Sequence, residues 1–342
     1  MSQDKIIAFD SLRVFAIFSV LLLHASVVPF LCSYPSTDWE MANVYEAISR
    51  WNVAVFIMIS GALFLRKSKP LNIKRLYSKN ILRIVAIFLF WSAIYAAYAL
   101  ITGNEKYTLF DALNGPHHFW YLKALIGLYI AIPIFKYIVS KKKFEQWFLI
   151  ATFILGIIAP STFDIIGISD PKLKMSLINY YSQFNVQLIS TYSFYFVVGH
   201  YFIEYPITKC HRHFLYTLGA ISPLIVMMLT RYVTGIDGKP FASFLGNEFI
   251  CTTLEAMAVF MLFISSSKIA KFSHRFSSLS GCVLGIYIVH ILVMYILSDL
   301  GLKSDSYSAT YFTPLYSIIV FAISYIIVII LKRIPFVNKW FI

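Results

Sequence analysis

The chain has 342 residues, of which 59% are hydrophobic, 18% aromatic and only 13% charged, with a mean hydropathy of +0.74. That composition excludes an ordinary soluble domain and predicts an all-α integral membrane protein. The formal net charge of +13 does not point to nucleic acid, because Lys and Arg sit in short clusters between apolar runs, as membrane topology arranges them.

A bilayer crossing needs roughly 17–25 apolar residues, and on that criterion the sequence predicts ten transmembrane helices. They lie at about 12–31, 47–65, 81–101, 119–138, 147–163, 186–203, 214–233, 244–265, 280–298 and 312–331. The fifth is the most interrupted, with Pro160, Ser161 and Thr162 near its end. Alternate connections differ in charge. One set holds eighteen basic residues, including Arg66, Lys67, Lys69, Lys74, Arg75 and Lys79, Lys136 with Lys141–Lys143, Lys268, Lys271 and Arg275, and Lys332, Arg333 and Lys339. The other set holds eight, three of them (Arg50, Lys123 and Arg231) at span edges. The positive-inside rule then predicts that both termini are cytoplasmic. No linker, repeat or low-complexity tract divides the chain, so residues 1–342 are read as one transmembrane domain. The first span has no small-residue cleavage signature and carries polar residues, so it is read as retained and not as a signal peptide.

The first predicted helix carries Arg13 at its start and His24 within an apolar run. Eleven residues are close to three helical turns, so both project from one face, roughly 16 Å apart. Polar side chains within a membrane are costly, which makes them functional candidates. The plainer reading is an Arg that snorkels to the headgroups and a His that bonds a neighbouring helix. Imidazole titrates near neutral pH and can serve there as a general base. In the third span Arg83 follows the basic cluster at Lys74, Arg75 and Lys79. Arg pairs bidentately with phosphate, so Arg13 with this cluster would suit a polyanion; positive-inside charge alone accounts equally for Arg66, Lys67 and Lys69.

The fourth span opens with His117, His118, Phe119, Trp120 and Tyr121 on the predicted outer side. An interfacial aromatic belt accounts for the Trp and Tyr, and a rim of His, Trp and Tyr would also stack and hydrogen-bond a sugar. The ninth span places His290 about ten residues from its inner end, close to the depth of His24. Glu255 and His200 are further polar candidates, each more simply read as a helix-packing hydrogen bond. The four cysteines (Cys32, Cys210, Cys251, Cys282) have neither disulfide-framework nor metal-ligand spacing.

These motifs resemble the membrane acyltransferase-3 family, and within it the branch that O-acetylates enterobacterial common antigen. The resemblance covers nearly the whole chain. It rests on Arg13-x10-His24 introduced by Asp10-Ser11-Leu12; on Ser49-Arg50 leading into Phe56 and Met58–Gly61; on His118–Tyr121 followed by Ile126–Tyr129; and on Leu284–Tyr287 with His290. It implies an O-acetyltransferase of a bacterial inner membrane that uses acetyl-CoA as acyl donor, without a permanently bound cofactor or metal. The acceptor is expected to be an envelope saccharide or its lipid-linked precursor. Arg13, Arg75 and Arg83 would hold the donor's phosphates, His24 would deprotonate the acceptor hydroxyl or carry the acyl group, and His290 is the second catalytic candidate. His118, Trp120 and Tyr121 would bind the acceptor. No esterase-like domain is appended, so the final transfer is expected on the membrane domain itself. Two other readings stand beside this one: a transporter or flippase for a lipid-linked or polymeric saccharide, since polar residues at midplane suit a translocation path, and a sensory or interaction protein without chemistry.

Overall fold

A computed structural model of the chain describes residues 3–68, 70–103, 108–185, 191–266 and 276–342. Among them every regular element is helical. The expected basic positions Lys69, Lys106, Lys268, Lys271 and Arg275, and the first residues of the expected sixth span, lie outside the described residues.

The helices that frame the molecule are α1 (Gln3–Cys32), α2 (Thr37–Ser49), α3 (Trp51–Phe64), α4 (Leu82–Ile101), α5 (Trp120–Ile130), α6 (Ile132–Ile138), α7 (Lys142–Phe153), α8 (Ala159–Ser169), α9 (Thr191–Glu204), α10 (Lys209–Asp237), α11 (Ile250–Ser265), α12 (Val283–Asp299), α13 (Ala309–Lys332) and α14 (Pro335–Trp340). Seven helical runs are long and apolar enough to cross a membrane, or eight when a bent pair is counted as one span. Among the described residues each of the ten predicted segments overlaps a helix, although residues 246–249 of the eighth are not helical. Two of them are short: α12 has 17 residues and the described part of α9 has 14. Exposed apolar side chains such as Leu100, Met228, Ile330 and Trp147 cover the outside of the bundle, as a lipid-facing surface requires.

Three local features position the site. First, α2 and α3 join through Arg50, whose backbone is itself helical, and together make one 28-residue run, Thr37–Phe64. Ser36 caps this run by accepting the Trp39 N–H at 3.1 Å, so the helix begins ten residues earlier than the sequence predicts. Arg50 therefore sits in the middle of a long apolar helical run and not at its edge. Second, α5 and α6 meet at a 57° bend; Pro133, at the start of α6, lacks the N–H that would continue the ladder. The single straight span expected at 119–138 is thus a broken one. Third, Leu76–Ile81 forms a π-helical turn between Ile73–Arg75 and α4. Such wide turns recur at functional sites, and this one carries Ser78, Lys79 and Asn80 into a cavity.

The α3–α9 seam is the most closely packed. A Cβ added to Gly61 would stand 1.7 Å from the Phe196 carbonyl oxygen, and one added to Gly199 would stand 2.1 Å from that of Met58. Small residues let two membrane helices touch backbone to backbone, and only Gly meets the requirement here. His200 and Glu145 pair at 2.7 Å, both fully buried, and tie α9 to α7. Glu255 is buried in the α10–α11 seam against Gly219. Neither His200 nor Glu255 borders the cavity described next.

Candidate active site

A cavity of about 1010 Å³ runs through the bundle, bordered by α1, α3, α4, α5 and α12. Seven of the eight residues that the resemblance gives a catalytic, donor-binding or acceptor-binding role line it: Arg13, His24, Arg75, Arg83, His118, Trp120 and Tyr121. His290 is the exception, lying just behind the wall.

One end is basic. Arg13, Arg75, Lys79, Arg83 and Lys339 face the void there, and among the described residues no Asp or Glu lines the cavity at all. A cleft lined by one sign of charge attracts ions of the opposite sign. Arg13 is steadied by Asp10, whose Oδ1 accepts from Arg13 Nη1 at 3.3 Å and from the Ser280 hydroxyl at 2.7 Å. Asp10 thus fixes α1 to the short helix Ser277–Ser280 that precedes α12. Arg83 donates to the backbone carbonyl of Ile342, and the Trp91 indole donates to that of Phe341 at 2.8 Å. Phe341 stacks on Phe90 with ring centroids 4.1 Å apart. These contacts fold α14 under the basic end, which is how Lys339 and Trp340 come to line the cavity. From the sequence Lys339 counted only as topological charge. No spacing linked it to Arg83, because the link is tertiary.

Midway along the cavity three imidazoles converge. The centroid distances are 5.2 Å for His24 to His290, 5.1 Å for His118 to His290 and 6.5 Å for His24 to His118. His24 borders the void, and among the described residues no hydrogen bond holds either of its ring nitrogens. His290 is fully buried, with Nδ1 donating to the Tyr287 carbonyl at 2.6 Å. A carbonyl only accepts, so Nδ1 carries the hydrogen. The Tyr287 hydroxyl in turn donates to the His118 carbonyl. His118 was expected at an outer rim; it is instead buried, with only 3% exposure, and belongs to this cluster. Its neighbour His117 is the exposed one.

Facing the cluster is a polar chain that the sequence did not reveal as a site. Glu46 accepts from Arg50 and, at 2.9 Å, from the Ser26 hydroxyl. The Glu46 side chain is only 1% exposed, while Arg50 lines the cavity. The signal was present as Glu46-x3-Arg50, a one-turn ion-pair spacing, but the segment read as an extramembrane edge. Beside it the Ser19 hydroxyl donates to the Ser49 carbonyl at 3.0 Å, which keeps α1 against the α2–α3 junction.

The end opposite the cations is aromatic. Trp120 stacks on Tyr192 at 5.6 Å, Tyr121 meets Tyr287 at 5.4 Å and Phe56 at 6.3 Å, and Asn247 and His117 complete the opening. Among the described residues no group of three or more His, Cys, Asp or Glu is placed to hold a metal ion.

Neither a curated protein nor a solved structure gives a significant match to this chain. A family profile described as an acyltransferase domain, acyltransferase family 3, matches residues 6–333, nearly all of the helical bundle around the cavity, and this chain therefore belongs to that family of acyltransferases.

Proposed function

We propose that this multi-pass membrane acyltransferase moves an acetyl group from acetyl-CoA to a hydroxyl of a cell-surface saccharide or its lipid-linked precursor. The observation that carries the reading is the cavity itself: a cationic end and an aromatic end joined through His24. In this reading the basic end faces the cytoplasm, both termini lie there, the chain makes ten crossings of a bacterial inner membrane, and the acceptor is an envelope saccharide of the kind represented by enterobacterial common antigen.

The donor's phosphates pair with Arg13, Arg75 and Arg83, and Lys79 and Lys339 add charge to the same chamber. The pantetheine arm then follows the face of α1 for roughly three turns, or about 16 Å, to His24. His24 accepts the proton of the acceptor hydroxyl. The oxygen so activated attacks the thioester carbonyl, the C–S bond breaks, and the CoA thiolate leaves and takes up the proton. Arg50, held by Glu46, supplies a fixed positive charge beside the carbonyl oxygen as it becomes negative, the kind of preorganised stabilisation that works best in a dry site. His290 contacts no substrate in this scheme; it positions His24 and His118. Trp120 and Tyr121 stack the acceptor sugar.

A transporter would use a cavity of this kind too, but not a thioester. The test is acetyl-CoA carrying a labelled acetyl group, supplied to sealed vesicles of either orientation. Transfer of label to the saccharide fraction only when the basic end is accessible supports the reading. Saccharide movement without any acetyl transfer would replace it with the transporter.

A further inference from the structure

The basic end of the central cavity presents more than charge. The helix α14 and the residue after it carry three aromatic rings, Phe336, Trp340 and Phe341, and the fold uses them differently. Phe341 stacks on Phe90 with centroids 4.1 Å apart and meets Phe336 at 5.5 Å. Phe336 is turned outward, with 65% exposure. Trp340 is partly buried and borders the cavity, and among the described residues no ring stacks on it. A Trp near the end of a membrane span is ordinarily a belt residue, but here the outward place on α14 is taken by Phe336.

The surroundings of Trp340 are polar. The Lys339 ammonium lies over its ring, 5.4 Å from the centroid. The segment beyond is pinned to α4, because Arg83 donates to the Ile342 carbonyl and Trp91 to the Phe341 carbonyl at 2.8 Å. Asn80, about one helical turn before Arg83, borders the same void, and its side-chain amide has no partner among the described residues. Such an amide offers both donors and an acceptor. Around the contact of Arg83 with Ile342 the cavity thus presents an unstacked indole, an unengaged amide and two cations.

That set has the chemistry of a nucleotide site. Any base stacks on an indole face, an amide pairs with the edge of the base, and Lys and Arg take phosphates on the same sugar. A bare polyphosphate would engage the cations and leave the indole and the amide unused, and a glycerophospholipid headgroup has no aromatic ring to stack. We infer that Trp340, Lys339 and Asn80 form a nucleoside subsite, with Trp340 stacking the base and Lys339 pairing with the phosphate on its ribose. The inference rests on the donor reading above and deepens it: the donor is recognised by its phosphorylated adenosine as well as by its diphosphate.

The experiment is calorimetric titration of the full chain in detergent with three probes. They are acetyl-CoA; S-acetyl-4′-phosphopantetheine, which lacks the nucleoside; and adenosine 3′,5′-bisphosphate, which lacks the arm. The subsite predicts that Trp340→Ala weakens acetyl-CoA and the adenosine bisphosphate about tenfold, as loss of one base stack does, and that Trp340→Phe restores most of the loss. Asn80→Ala should weaken the same two probes about threefold, as for one neutral hydrogen bond. S-acetyl-4′-phosphopantetheine should bind every variant as it binds wild type, with unchanged thermal midpoints as proof of folding. Acetyl-CoA binding indifferent to both Trp340→Ala and Asn80→Ala overturns the subsite and leaves the acyltransferase reading standing. So does an equal loss for all three probes, which makes Trp340 a scaffold residue only. Adenosine bisphosphate binding that depends on Trp340, without acetyl-CoA binding, keeps the subsite and removes acetyl-CoA as donor. Folded wild type that binds none of the three overturns both.

Discussion

At one end of the central cavity five cations face the void; at the other, past His24, the wall is made of Trp120, Tyr121 and Asn247, and a side cavity beyond His117 presents Asp111 and Asp299. The ends are built differently as well. The basic end is assembled from a π-helical turn, a half-exposed Arg13 tethered to Asp10, and α14 folded back under it. The middle and the aromatic end are rigid: His118, Tyr287 and His290 are interlocked by backbone hydrogen bonds, and Tyr95 spans α4 to α12 through two more. One cavity thus joins a cationic region with an aromatic one. The difference predicts that the two halves separate in experiment.

The sharpest break should come at the junction. His24→Ala is expected to lower acetyl transfer by about 10²–10⁴-fold, the range for loss of a general base, and to leave both ligands bound. Single-turnover rates beside equilibrium binding check this. Next, Arg13→Ala should weaken acetyl-CoA by about 1.5–3 kcal/mol, as for hydrogen bonds to a charged group, or roughly ten- to a hundredfold in affinity. The acceptor's KM should stay put. An equal loss for both substrates would show that the two ends are not separate sites.

A control on the scaffold belongs between these and the weaker effects. Gly61→Ala should destabilise the bundle by about 1–3 kcal/mol, as overpacking does, because its Cβ would meet the Phe196 carbonyl. Gly127→Ala, with nothing within 4 Å, should leave the thermal midpoint in detergent unchanged. Trp120→Ala should raise the acceptor KM several-fold, in line with an aromatic contact of about 0.5–1.5 kcal/mol, without touching donor affinity. The smallest effect is expected at Arg75. It is exposed, and exposed charge pairs contribute only about 0.2–1 kcal/mol. Its influence on acetyl-CoA binding should fade as salt is raised.

Much of this was legible in the sequence, and the reasons are particular. The helices were, because hydrophobic length is a local property that survives into the fold. Arg13 and His24 were, because a fixed spacing on one helix needs no tertiary information. The roles of Arg50, Lys339 and His118 were not. Arg50 read as an edge residue until Ser36 capped the helix far upstream. Lys339 reaches the basic end only because Phe341 stacks on Phe90 and the backbone beyond it is held by Trp91 and Arg83. His118 and His117 are adjacent in sequence, and only the turn at the start of α5 buries one and exposes the other. The bend at Ala131 had its signal in Pro133, but an apolar run of ordinary length masked it.

The measurement that reaches the central claim most directly is acetyl-CoA binding to the purified chain in detergent, wild type beside Arg13→Ala and His24→Ala. The account predicts tight binding to wild type, near-equal binding to His24→Ala, and binding weakened at least tenfold in Arg13→Ala. Wild-type protein that is folded and does not bind acetyl-CoA, or Arg13→Ala that binds as well as wild type, would contradict it.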